Sequence, residues 1–245
     1  MTSFMFWNCQ GAASPTFKRI FNLFVREHRP NMVALFETRT SGTKADRIIN
    51  KLGFTQSLRV EAHGFGGGIW LLWEETMEIE ITHLSNQFIN GIFRPKEVNT
   101  WAQFTAIYAN PNGSKRKHQW SQLEALAPND NTPWILGGDL NVILDVDERR
   151  GGATTHTNGS RLFANFMHST GLLDLGFHGS PFTWNRGNLQ QRLDRCLGNT
   201  KWISSFPNSQ VLHLDRIGSD HRPLLLRLTT DKQDHKNRPF RFIAA

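Results

Sequence analysis

Short apolar segments recur along the chain, and several stop abruptly at a polar residue. Segment 4–7 ends at Asn8, 33–36 at Glu37, and 104–107 at Tyr108. Segment 134–136 runs through Gly137 and Gly138 to Asp139 and Asn141. Further on, Asp194 follows Leu193, and Asp220 and His221 precede the run 224–228. Runs this short, bounded by turn-prone residues, read as buried strands. In layered α/β folds strand ends converge at one edge of a sheet, and sites are built there.

Helices separate these strands. Ser14 can cap a helix that starts at Pro15, where proline is tolerated, and Phe17, Ile20, Phe21, Phe24 and Val25 mark its buried face. Residues 44–52 fit a second helix closed by Gly53, residues 115–127 a third, and residues 161–170 a fourth closed by Gly171. Between 53 and 109 the period changes to two, with strands at 69–73, 77–83, 88–93 and 101–108, which predicts an antiparallel meander. The glycines in 64–68 have the wrong spacing for a dinucleotide fingerprint and suggest a hairpin turn. Short strands follow at 182–184, 191–193, 211–214 and 224–228. No repeat or internal linker interrupts this rhythm. The expected fold class is α/β: a four-layer α/β/β/α sandwich of two packed mixed sheets flanked by helices, with each half of the chain forming one side. Residues 1–230 read as that domain, and 231–245 as a polar linker.

Composition narrows the partners. No apolar run approaches the roughly 18 residues of a membrane span, and the N-terminus lacks a secretory pattern. Cys9 and Cys196 have no metal-binding spacing, which excludes a structural zinc site built on them. A formal charge of +7 points to a polyanion, nucleic acid first.

The polar strand ends have a chemical logic. Glu37 offers oxygen to a hard cation, and Mg2+ takes only one or two protein carboxylates while it binds substrate phosphate. Asp139 and Asn141, two apart on a turn, can share one water. Asp220 beside His221 suggests a carboxylate–imidazole pair, which needs an irregular backbone that Gly218 makes accessible. Together these groups suit phosphodiester hydrolysis.

WNCQG (7–11), FETRT around Glu37, YANP (108–111), GGDLN (137–141), RLD (192–194) and SDH (219–221) occur in the order of the exonuclease–endonuclease–phosphatase superfamily, which the chain resembles. Within that DNase I-like group it is most similar to the endonuclease domain of LINE-type non-LTR retrotransposon polyproteins, particularly the plant branch, because FTW (182–184) precedes RLDR (192–195). The resemblance implies a Mg2+-dependent endonuclease, with Mn2+ as the substitute, that nicks target DNA and leaves a 5′-phosphate and a 3′-hydroxyl to prime reverse transcription. Glu37, Asn8 and Asp194 would serve the metal. Asp139 would position the attacking water, Asn141 and Tyr108 would contact the phosphate, and Asp220 would orient His221. It further implies double-stranded DNA as partner, element RNA only through a downstream region, a monomer, and action in the nucleus. An abasic-site endonuclease, a phosphatase of the same fold and an inactive DNA-binding module remain alternatives. Gln10 stands where abasic-site relatives usually carry an aspartate.

The stretch NRGNLQQ (185–191) is polar, basic and next to the site, and is expected to enter a DNA groove and read its shape. Thr183, Trp184, Arg186, Asn188 and Arg192 are the expected contacts, with Lys115, Arg116, Lys117 and Arg149 neutralising phosphates to either side.

Overall fold

Alternation within the first strand, β1 (Thr2–Asn8), divides the molecule into layers. Phe4 and Phe6 enter one buried cluster, and Met5 and Trp7 enter another on the opposite face. The computed structural model describes residues 2–63, 66–96, 100–128, 131–152 and 160–228; the expected linker at 231–245 lies outside them.

After β1 come α1 (Pro15–His28), β2 (Met32–Phe36), α2 (Gly42–Ile49), β3 (Gln56–His63) and β4 (Gly66–Trp73). Ser14 caps α1 as expected, its Oγ accepting from the Phe17 amide at 3.0 Å. Next are β5 (Met77–Ser85), β6 (Phe88–Pro95), β7 (Ala102–Tyr108), α3 (Gly113–Glu124), β8 (Trp134–Asp139) and β9 (Arg149–Arg150). The chain continues through α4 (Arg161–Thr170), β10 (Leu172–Asp174), β11 (His178–Gly179), β12 (Trp184–Arg186) and β13 (Leu189–Gln191). It closes with β14 (Asp194–Asn199), α5 (Thr200–Ser205), β15 (Gln210–His213) and β16 (Leu224–Leu228).

Of the two large sheets, one has the order β11-β15-β16-β1-β2-β4-β3 and the other β10-β14-β8-β7-β6-β5, while β12-β13-β9 form a small third. The two large sheets meet through Phe4, Phe6, Phe36, Leu71, Phe93 and Phe104, among others. On the outer face of the first sheet lies α1, through Phe17, Phe21 and Phe24. The outer face of the second is covered by Trp120 of α3 and by Phe163 and Phe166 of α4. This is the expected four-layer sandwich. Gly137 lets the sheets close, since a Cβ there would lie 2.7 Å from the Phe6 ring. Among the described residues, no helix is long and apolar enough to cross a membrane.

Two expectations are corrected. The segment from 53 to 109 is not one meander: β3 and β4 belong to the first sheet and β5–β7 to the second. Both edges of β4 are already taken, by β2 and β3, so β5 has none to join. For the same reason the halves of the chain do not each form one side. β1 pairs with β16 from the far end of the chain, which puts β1 to β4 in one sheet with late strands, and β8 pairs with β14. Of the segment 64–68 expected in a hairpin turn, Gly66 to Gly68 lie within β4, and 64 and 65 fall outside the described residues.

A buried ion cluster ties the later segments together. Arg195, fully buried, donates to Glu148 Oε2 at 2.6 Å and to Asp174 Oδ2 at 3.0 Å. Arg192 donates to Asp174 Oδ1 at 2.8 Å and Glu148 Oε1 at 3.1 Å, with its guanidinium over the Phe177 ring. Burial alone would raise both carboxyls, but the two arginines outweigh it and hold Asp174 and Glu148 below the usual range. A depressed folded pKa contributes stability that is complete above the unfolded values, roughly 3.9 for Asp and 4.3 for Glu, and is lost as pH falls through the folded ones. We therefore expect the thermal midpoint to drop as pH falls below about 4. Asp174→Asn should cost about 3–5 kcal/mol at neutral pH and flatten that acid slope, as denaturant unfolding across pH would show.

Candidate active site

Strand register brings the polar ends together. The parallel pair β7–β8 sets Tyr108 opposite Asp139, and the antiparallel pair β8–β14 sets Asp139 opposite Asp194. In the other sheet Asn8 lies opposite Phe36, so Glu37 follows one residue beyond. The loop before β16 delivers Asp220 and His221, with Gly218 at φ +72° as the sequence suggests. Ser219 fastens that loop: its Oγ donates to the Asn8 carbonyl at 2.7 Å and accepts from the His221 amide at 3.1 Å.

These residues surround an open cavity of about 510 Å³. Asn8, Glu37, Tyr108, Asp139, Asn141, Asp220 and His221 all line it; Asp194 does not. Glu37 and Asn141 both sit in the left-handed backbone region, at φ +51° and +50°, an uncommon conformation for residues other than glycine. Such strain concentrates at functional sites.

Asp139 is fully buried and well held. It accepts from Asn8 Nδ2 at 2.9 Å and from the Asn141 amide at 2.9 Å, while Asn141 Nδ2 lies 3.2 Å from its second oxygen. His221 Nδ1 lies 2.8 Å from Asp194 Oδ2, and Nε2 lies 3.7 Å from Asp139 Oδ2. Burial would lower the imidazole, but the Asp194 and Asp139 charges outweigh it and lift His221 to about 9. Burial pushes Asp139 up to about 7, against the pull of His221. The Tyr108 hydroxyl donates to Glu37 Oε1, and burial together with that bond raises the phenol further. Arg39, not among the expected site residues, donates to Glu37 Oε2.

Three expectations change. Asp194, not Asp220, orients His221. Consecutive side chains diverge, and Asp220 instead accepts from the Trp184 indole N–H at 2.9 Å. Asp194 thus stands behind the imidazole and does not line the cavity. Thr183 is buried, its Oγ accepting from the Leu193 and Asp194 amides at 3.0 Å, so it is not a DNA contact. Arg192 is spent in the buried ion cluster. Trp184 and Arg186 line the cavity, and Asn188, Lys115 and Lys117 are exposed. Arg149 is half-buried. Arg116 also lines the cavity, steadied by bonds from Nη1 to the Asn110 and Pro111 carbonyls.

The chain matches the Endonuclease/Exonuclease/phosphatase family across residues 5–221. It belongs to that family. No curated protein sequence matches it. Solved structures with the same fold include an AP endonuclease from Leishmania major, 16% identical over 92% of this chain and 86% of that one, with a TM-score of 0.70. A 3′ phosphatase from Neisseria bound to a product DNA hairpin is 14% identical over 94% and 100%, at 0.69. The endonuclease domain of TRAS1, a telomere-specific non-LTR retrotransposon, is 14% identical over 95% and 100%, at 0.65.

In this member of the Endonuclease/Exonuclease/phosphatase family the donors fit a hard divalent cation. Glu37, Asp220 and Asn8 turn oxygens or amides to the cavity, and Asp220 Oδ1 is buried with no hydrogen-bond partner among the described residues. Asp139, Asp194 and His221 also place donor atoms within 4.8 Å of one another. There Nδ1 is engaged with Asp194 Oδ2, which leaves Nε2 as the ring nitrogen toward Asp139.

The Thr183 finding is testable. Thr183→Val strands two buried amides and should cost about 2 kcal/mol in denaturant unfolding. DNA retardation by the folded fraction should stay at the wild-type level; a loss at full folding would restore Thr183 as a contact.

Proposed function

We propose that this chain is a Mg2+-dependent DNA endonuclease that nicks one strand and leaves a 5′-phosphate and a 3′-hydroxyl. The observation that carries the reading is the facing pair Asp139 and His221: a carboxylate held by two asparagines opposite an imidazole held by a second carboxylate. Asp139 takes a proton from a water whose oxygen attacks phosphorus, and the bond from phosphorus to the 3′ oxygen breaks. Asn141 fixes the water's approach, and His221 Nε2–H faces a non-bridging phosphate oxygen. Glu37, with Asn8 and Asp220, would hold the cation, which when bound polarises the phosphoryl oxygen and steadies the leaving oxyanion. Tyr108 keeps Glu37 in place and stands beside the phosphate.

Arg186 and Asn188 on the β12–β13 hairpin, with Lys115, Lys117 and Arg116 across the cavity, suit the backbone of duplex DNA. The retrotransposon origin is supported by the FTW and RLDR segments and by the likeness to the TRAS1 domain. On that reading the 3′-hydroxyl primes reverse transcription of an element RNA handled by a downstream region, in the nucleus.

Purified protein should nick supercoiled plasmid with Mg2+ and not with EDTA, and Asp139→Ala and His221→Ala should each lose at least about 100-fold. Plasmid that stays supercoiled but is retarded would replace this reading with a binding module. Arg186→Ala should weaken DNA binding alike for all sequences and lower the salt slope by about 1. A change confined to some sequences would mean base readout instead.

A further inference from the structure

Asp220 stands where it could do harm. Its Oδ1 lies 3.9 Å from His221 Nε2, the nitrogen that faces Asp139 and the cavity. One small rotation would close that gap to a direct ion pair, and the imidazole would then be gripped by carboxylates on both nitrogens. It would no longer offer Nε2–H to a substrate, and Asp220 would no longer offer an oxygen to the cavity.

The Trp184 indole prevents that rotation. Its Nε1–H donates to the other oxygen, Oδ2, at 2.9 Å, and so fixes the plane of the carboxylate. The backbone that carries the indole is itself anchored. Trp184 forms an isolated antiparallel bridge with His221, the Asn185 amide donates to the Asp220 carbonyl at 3.1 Å, and the Arg222 amide donates to the Thr183 carbonyl at 2.7 Å. The ring also leans on the imidazole, with centroids 6.5 Å apart. We propose that Trp184 is a positioning residue that holds Asp220 off His221, so that the carboxylate and the imidazole each keep a free face toward the substrate. This rests on the endonuclease reading of the same cavity.

The tests are Trp184→Phe, which keeps a ring but lacks the N–H, Asp220→Asn, and the double variant. Plasmid nicking is followed for kcat and KM, and Mn2+ binding to each protein without DNA is followed by calorimetry. Trp184→Phe should lower kcat about 10-fold with KM little changed and weaken Mn2+ binding several-fold, the loss expected for one hydrogen bond to a charged group. In the Asp220→Asn background the same change should do almost nothing further, because the residue acts through Asp220. Equal losses in both backgrounds would mean that Trp184 only supports the fold or touches DNA directly, and would overturn the proposal. Wild-type kcat and Mn2+ affinity in Trp184→Phe would do the same, while leaving the endonuclease reading intact. Failure of the unaltered protein to nick or to bind Mn2+ would instead remove that reading and this inference with it.

Discussion

The site rests on the register of three neighbouring strands. β7, β8 and β14 set Tyr108, Asp139 and Asp194 side by side at one end of the second sheet. A slip of one residue in β8 would turn Asp139 from the cavity edge to the opposite face. Gly138 helps to fix that register: it has φ +142°, and a Cβ there would run into the Ile107 carbonyl and the Phe36 ring. Backbone and aromatic packing thus define the position of the carboxylate before any polar contact forms.

The first sheet supplies the complementary half by the same means. Asn8 and Glu37 end two parallel strands, and the antiparallel β16 returns the chain so that its preceding loop meets them. Asn8 is the hinge between the halves. Its side chain donates to Asp139 in the other sheet, and its carbonyl receives the Ser219 hydroxyl. Because the two sheets pack through large buried side chains, the halves cannot drift apart without opening the core.

Much of this was legible in the sequence because it is local. A strand that ends in a polar residue shows as an abrupt change in hydropathy, so the strand ends and their polar residues could be read directly. Partners were not legible. Asp220 stands next to His221 in the chain and invites pairing, yet Asp194 makes the bond because β14 is threaded beside β8. Thr183 and Arg192 lie at the foot of a polar hairpin, and nothing nearby marks them as buried. Glu148 and Asp174, which neutralise Arg192, come from distant segments. The meander failed for a similar reason: alternation reveals that a segment is a strand but not which edges its neighbours have taken.

The charge pattern has a consequence of its own. The chain is basic overall, yet Glu37, Asp139 and Asp220 line the place where an anionic phosphodiester would have to lie. Two like charges about 4 Å apart repel by roughly 4 kcal/mol at the effective dielectric of a protein surface. Long-range attraction by the exposed lysines and arginines can bring a polyanion to the molecule, but it falls off within about 10 Å in ordinary salt. Inside the cavity Arg39 is engaged by Glu37, and the imidazole is held by Asp194 at Nδ1. The short-range balance therefore favours a divalent cation over a bare phosphate. A site of this kind is unfavourable to an anion until a cation is bound, and that physical asymmetry separates long-range attraction of a polyanion from its entry into the cavity.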